Sequence, residues 1–463
     1  MTVETSTEGT SEINRERIAE LTERELAKLA DRTPRSKQRY ERGVKVMPGG
    51  VPSSFQENDP WPVYLERGQG ARVWDVDGHE YVDFHNGFGV MAIGHANPTV
   101  GAAVKARVDL GTHFAAPTDG SIVVAEELVD RFGLPQWRFT NSGTESTMDA
   151  VHLARGVTGR DVLLKIEGSY HGHHDAVMVS VYPPLEALGE RDDPRSVPYG
   201  EGYPLALTEL TRAVPFNDAG ALESVLAKLD GEVAGLIMEP AMMNINIIPP
   251  VEGYLERVRE LCTAHGVQLI FDEVKTGATI ARGGATRRFG VEPDMITLAK
   301  AVCGGYPGGA IGMTDEVAAA VADGRVHQYG TFNGNPLVMA AAEATLIEVL
   351  TDDAYAQLES ANEWLRGACD SIIERYGLPC YTEGLGAKGC VVFAREPLRE
   401  FRDYLTKVDA ELSTLAWLYH MNHGVFMTPG VEEEWTISIA HSEDDLRVFA
   451  DALEAFARDV TAG

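Results

Sequence analysis

Six short apolar runs with helical patterns between them set the tightest limit on how this chain folds. They are Trp137–Thr140, Val162–Ile166, Val233–Met238, Gln268–Phe271, Met295–Ala299 and Ala310–Met313. Most are continuous rather than alternating, the pattern of parallel strands buried on both faces. Helical periodicity fills some of the gaps, as in Thr144–Gly156 and Leu255–His265. The expectation is an α/β fold with a doubly wound, mainly parallel sheet. At 463 residues the chain exceeds one ordinary hydrophobic core, so more than one domain is expected.

Around this centre the chain is read in three parts. Residues 1–85 form an N-terminal segment, expected to be part of the smaller domain or of a dimer interface. It has a charged helical stretch over 14–47, expected on the surface or against a partner, and a Gly/Pro/Ser-rich loop over Gly49–Pro62. A hairpin over Ala71–Phe84 then turns at Asp77-Gly78. Residues 86–336 form the large domain. Residues 337–463 form a smaller α+β domain, with an alanine-rich helix at Leu337–Leu350 and strands near Cys390–Ala394 and Thr436–Ala440.

Composition narrows the function. With 40 Lys+Arg against 70 Asp+Glu the net charge is −30, which disfavours nucleic acid and anionic membrane as partners, since both need a basic face. An anion would have to be held locally, by backbone N–H groups and a few placed cations. The five cysteines contain no C-x-x-C pair, as in a reduced protein. Met1–Arg15 lacks a basic or apolar signal pattern, and no apolar run reaches the ~18–20 residues of a membrane span. The expectation is a soluble cytoplasmic protein.

In open parallel sheets, chemistry sits beyond the carboxyl ends of the strands. The first such end is Asn141-Ser142-Gly143-Thr144-Glu145. Small residues opening a helix there offer N–H groups to an anion, although an ordinary helix cap needs the same residues. The second, Tyr170-His171-Gly172-His173-His174-Asp175, invites a metal. Its spacing fits no helical ligand pair and no thiolate stands nearby, so no metal is expected. Tyr170 or His171 stacking on a flat ligand is preferred, with a packed loop histidine as the plain option.

The third end places Asp272 at the close of a buried run, where a carboxylate needs a cation or becomes a loop cap. At the fourth, Lys300 closes an apolar run and enters the glycine-rich loop Gly304–Gly309. Burial would lower its pKa, as an imine-forming nucleophile requires; a snorkelling surface lysine is the alternative. Together these are the needs of pyridoxal 5′-phosphate (PLP): a phosphate, a flat ring, a pyridinium nitrogen and an aldehyde. Lys300 is favoured over Lys275 for the aldehyde. A lysine three residues beyond the partner of the ring nitrogen would have to loop round the cofactor.

Eight stretches then resemble the class III PLP-dependent aminotransferases of fold type I, most nearly their glutamate-1-semialdehyde aminomutase-like members. They are Pro48-Gly-Gly-Val51, Val73-Trp-Asp-Val-Asp-Gly78, Asn141-Ser-Gly-Thr-Glu145, Tyr170-His-Gly-His173, Glu239-Pro240, Phe271-Asp-Glu-Val-Lys-Thr-Gly277, Leu298-Ala-Lys300 and Gly330-Thr-Phe-Asn-Gly-Asn-Pro336. They occur in the family's order over roughly residues 40–445.

By this resemblance Lys300 is the lysine joined to the cofactor aldehyde, Asp272 the partner of the ring nitrogen, and Tyr170 the stacking aromatic. Val274 lies under the opposite ring face, Ser142, Gly143 and Thr144 cradle the phosphate, and Glu239 belongs to the cofactor site. Thr331 resembles a threonine reaching the phosphate of the neighbouring subunit, which implies a homodimer with shared active sites. The implied activity is transfer of an amino group from an amine or amino acid to a carbonyl or keto-acid acceptor. The alternative is glutamate-1-semialdehyde 2,1-aminomutase or a related carboxylate-specific enzyme. Asn244 and Glu433 match aminomutase positions, but Gln56 stands where aminomutases hold an arginine for the substrate carboxylate. The variant segment Val179–Pro215, with Phe55, Trp61 and Tyr182, suggests a pocket for bulky or aromatic amines.

Overall fold

The computed structural model describes residues 13–429 and 434–462. Helices α1 (Arg15–Arg32) and α2 (Pro34–Gly43) come first. Strands β1 (Leu65–Gln69), β2 (Arg72–Asp75) and β3 (Glu80–Asp83) follow as an antiparallel meander, with Asp77-Gly78 in the second turn as expected.

The central sheet contains β4 (Gln136–Thr140), β5 (Val162–Ile166), β6 (Thr211–Val214), β7 (Val233–Met238), β8 (Gln268–Asp272), β9 (Met295–Leu298) and β10 (Gly309–Met313). Its order is β4-β10-β9-β8-β7-β5-β6. All strands run parallel except β10, which is antiparallel to both neighbours. Every residue of β5, β7, β9 and β10 is buried, which accounts for their mostly apolar sequences. β4 lies at the edge and alternates exposed with half-buried residues before ending on buried Thr140. Gly312 lets β10 approach β4, since a Cβ there would stand 2.6 Å from the Trp137 ring.

After β4, helix α3 (Gly143–Thr158) starts at the Ser142 N-cap, whose hydroxyl accepts from Glu145 N–H at 3.2 Å. Helix α4 (Tyr254–His265) precedes β8. The expected Leu337–Leu350 helix is α5 (Pro336–Glu343) running into one π-helical segment at Ala344–Val349. It packs on helices Pro98–Val108 and Asp119–Phe132, in the core around the large sheet.

Helices α6 (Asp352–Tyr376), α7 (Ala410–Asn422) and α8 (Glu443–Thr461) enclose a second core. Strands β11 (Tyr381–Leu385), β12 (Lys388–Val392) and β14 (Trp435–Thr436) form its sheet, while β13 (Val425–Phe426) adds to β3. The strand expected over Thr436–Ala440 is thus only its first residue, preceded by Trp435.

Ile18, Leu21 and Leu29 on α1 are buried in this second core against α7. Asn422 Nδ2 donates to the Glu25 backbone oxygen and to Glu25 Oε2, both at 2.9 Å, locking α1 to the end of α7. We propose that residues 1–85 and the C-terminal residues form one packing unit beside the large unit that begins near 86, with α5 on the side of the large unit. Leu29→Ala, at a fully buried position, should cost about 2–5 kcal/mol. Urea unfolding followed by Trp fluorescence would register this as a lower midpoint; an unchanged midpoint would mean that α1 does not stabilise the C-terminal unit.

Candidate active site

One cavity of about 510 Å³ opens beyond the carboxyl ends of the parallel strands. Five strand ends contribute: Asn141–Thr144 after β4, Tyr170–Gly172 after β5, Glu239 after β7, Asp272 closing β8, and Ala299 with Lys300 after β9. β8 and β9 are adjacent, with Asp272 opposite Thr297, so Asp272 and Lys300 leave neighbouring strands into the same space.

Asp272 is buried and well held. Its Oδ2 lies 2.7 Å from His171 Nδ1, and its Oδ1 accepts from Val274 N–H at 3.0 Å and from the Thr297 hydroxyl at 3.1 Å. His171 is therefore the carboxylate's buried neighbour. Among the described residues no group of three or more His, Cys, Asp or Glu is placed to hold a metal ion. Lys300 has φ +52°, the left-handed region that non-glycine residues seldom adopt, so the local fold holds this lysine in a strained conformation. Burial lowers its pKa to about 8; Lys275 pushes the same way and Asp272 opposes.

Helix α3 points its first turn at the cavity. The N–H of Glu145 is capped by Ser142, and Gly143 and Thr144 line the cavity at the positive end of the helix. Gly143 is needed for a close approach: a Cβ there would meet both Val274 methyl groups at 3.1 Å. Thr144 Oγ1 accepts from His173 N–H at 3.1 Å, joining the helix start to the loop after β5. Tyr170 stands edge-on to Phe55, with ring centroids 5.6 Å apart, and its N–H donates to Glu239 Oε1 at 3.1 Å. Glu239 also accepts from Asn244 Nδ2 at 2.8 Å and Met243 N–H at 2.9 Å.

The structure thus gathers Ser142, Gly143, Thr144, Tyr170, Glu239, Asn244, Asp272, Val274, Lys300 and Phe55 around one cavity. Other expected residues lie elsewhere. Trp61 is turned to α2, its Nε1 donating to the Thr33 hydroxyl at 3.0 Å and its ring 5.1 Å from Lys37 Nζ. Tyr182 packs on Phe401 and Tyr404 instead of the cavity. Gln56 is exposed and does not line the cavity, and Thr331 is exposed on a separate loop. Glu433 lies outside the described residues; its neighbour Glu434 is buried and lines the wall. His85, Phe88, Lys275 and Glu434 line the cavity without having been assigned to it from sequence.

A model of the class III aminotransferases matches residues 54–404. The chain belongs to the class III aminotransferase family. It is 38% identical over 432 residues to a glutamate-1-semialdehyde 2,1-aminomutase of Nitratidesulfovibrio vulgaris, covering 92% of this chain and 99% of that one. Two solved structures are similar throughout. An omega-transaminase from Sphaerobacter thermophilus has a TM-score of 0.88 and 32% identity, over 92% of this chain and 97% of its own. A glutamate-1-semialdehyde aminomutase from Pseudomonas aeruginosa in complex with PMP has a TM-score of 0.90 and 30% identity, over 97% and 99%.

The family's enzymes are PLP-dependent, and the donor set of this cavity fits that cofactor. A helix start opens on one part of it for a phosphate, and a buried carboxylate stands ready for a cationic ring nitrogen. A phenol ring and Val274 supply flat and apolar contacts, and a lysine of lowered pKa faces the same space.

Proposed function

We propose that this protein is a PLP-dependent aminotransferase moving an amino group between an amine or amino acid and a carbonyl or keto-acid acceptor. The observation that carries the reading is Asp272 and Lys300 leaving adjacent parallel strands into a cavity that also receives the start of α3. When bound, PLP supplies an aldehyde that takes up amines and a pyridinium ring that draws electrons from the carbon beside them. Ser142, Gly143 and Thr144 would hold its phosphate, Asp272 would keep its ring nitrogen protonated, and Tyr170 and Val274 would flank the ring. Glu239 orients Tyr170 through the backbone. Lys300, losing its proton at a pH near 8, takes a proton at Nζ and returns it.

For the substrate, among the described residues the cavity lining carries two lysines, Lys275 and Lys300, and no arginine. With Gln56 turned outward, a bidentate clamp on a carboxylate is missing from this chain's wall. That favours intermolecular transamination with amines or simple amino acids. The second reading, the 2,1-aminomutase, draws on the 38% identity to aminomutases over nearly the full chain, which favours it at least as strongly. Glutamate-1-semialdehyde and a panel of amine donors with keto acids separate the two. Faster conversion of glutamate-1-semialdehyde to 5-aminolevulinate than of any donor–acceptor pair would overturn the transaminase reading; the reverse order would overturn the aminomutase reading.

A homodimer completes the proposal. The loop bearing Thr331 is tied to the segment after helix Pro98–Val108 by Asn335 Nδ2 donating to the Thr112 carbonyl at 2.9 Å. Phe114, Ile122, Tyr329 and Phe332 are apolar and exposed around it, a surface suited to a second copy. The five cysteines are unpaired, which accords with a cytoplasmic setting, and no helix among the described residues is long and apolar enough to cross a membrane.

A further inference from the structure

One wall of the cavity carries an uneven ion cluster. Glu434 Oε1 lies 3.0 Å from Lys275 Nζ and 2.7 Å from Lys388 Nζ, so two ammonium groups share a single carboxylate oxygen. Lys388 also donates to the Thr436 hydroxyl at 3.1 Å, is fully buried and does not line the cavity. Lys275 retains some exposure, lines the cavity, and donates in addition to the Met243 carbonyl at 2.5 Å. An ammonium has three N–H bonds, and these two contacts account for two of them.

Burial works against charge on Glu434, but Lys275 and Lys388 together hold its carboxyl below the usual range. Were Lys275 to turn to another anion, Glu434 would still be paired with Lys388, so no buried charge would be stranded. The remaining carboxylates of the lining are already engaged. Glu239 accepts from Tyr170, Met243 and Asn244, and Asp272 is held by Val274, Thr297 and His171. His85 lines the same cavity with a buried Nε2 that has no hydrogen-bond partner; burial, with Lys275 and Lys388 opposing charge, keeps the ring neutral.

We propose that Lys275, backed by the Glu434–Lys388 pair, is the carboxylate-recognising residue of the substrate pocket. This rests on the amino-transfer reading and adds to it. One monodentate cation in place of a guanidinium fork admits carboxylates without requiring them.

The test uses the PLP-loaded protein with butanoate and butanamide, non-reacting probes of similar shape that differ in charge. Butanoate should bind about tenfold or more tightly than butanamide, the effect of one charge-assisted hydrogen bond. Lys275→Met and Lys275→Gln should each erase that preference, and Lys275→Arg should keep it. In half-reactions, Lys275→Met should raise KM for a keto acid about tenfold more than KM for a neutral aldehyde. Equal loss for both acceptors, or a preference for butanoate that survives Lys275→Gln, would overturn the assignment and leave Lys275 a packing ion pair. A loaded wild-type protein that transfers no amino group from any donor would instead refute the proposed function, and the two binding probes would still decide the role of Lys275.

Discussion

Lys300→Ala is expected to lower kcat by roughly 10³-fold or more, because one residue supplies both the reactive amine and the proton acceptor. The variant should also lose the visible absorbance that PLP gains when a lysine joins its aldehyde. Borohydride treatment of the loaded wild type, followed by peptide mapping, should place the cofactor mass on Lys300. The pH dependence follows from burial, which brings the ammonium down to about 8. Uptake of PLP by stripped protein should accelerate as pH rises toward 8 and level off above it, since the neutral amine is the reactive form. An unfolded lysine keeps its proton to about pH 10.4. Between about 8 and 10.4 the unfolded chain therefore binds more protons, and stripped wild type should gain stability with rising pH relative to Lys300→Ala. A variant that keeps the wild-type spectrum and turnover would remove Lys300 from the chemistry.

The strand ends were legible in the sequence because buried parallel strands leave an unusual local record. Val162–Ile166 and Val233–Met238 coincide with observed strands, and Asp272 and Lys300 stood out as charged residues closing such runs. β6 escaped notice: four residues with Arg212 inside, after a long loop, carry no such record. β10 carries a buried run like its neighbours yet is antiparallel, since a strand's direction is set by its connections and not by its residues.

What sequence reading missed depended on distant contacts. Trp61 finds Thr33 rather than the pocket, and which helix α1 packs on, α7 nearly 400 residues away, could not be read from spacing. Lys275 was weighed only as a rival to Lys300. Its pairing with Glu434, the residue before β14, could not be read from spacing. The π segment at Ala344–Val349 has no sequence signal comparable to a proline or a glycine pair.

Asp272→Asn is expected to reduce the rate of the amine half-reaction by about 10²–10⁴-fold with little loss of fold, since the amide nearly matches the carboxylate in shape. The buried carboxylate favours the protonated form of a nitrogen beside it, and a neutral amide does not. Without that proton the ring of the bound cofactor is a poorer electron acceptor, so the loss should fall on kcat rather than on substrate binding. Asn Oδ1 could still accept from Val274 N–H and the Thr297 hydroxyl, while its NH₂ would face His171 Nδ1, at 2.7 Å in the wild type. That ring can meet the amide as the tautomer with Nδ1 unprotonated, so the melting temperature should move by only a few degrees. His171→Phe provides the contrast: it leaves Oδ2 buried and unpaired, at about 1–3 kcal/mol in stability, while the charge that acts on the ring remains. Turnover of Asp272→Asn within about tenfold of wild type would show that the carboxylate is a structural cap for the β8 end and not the partner of a ring nitrogen.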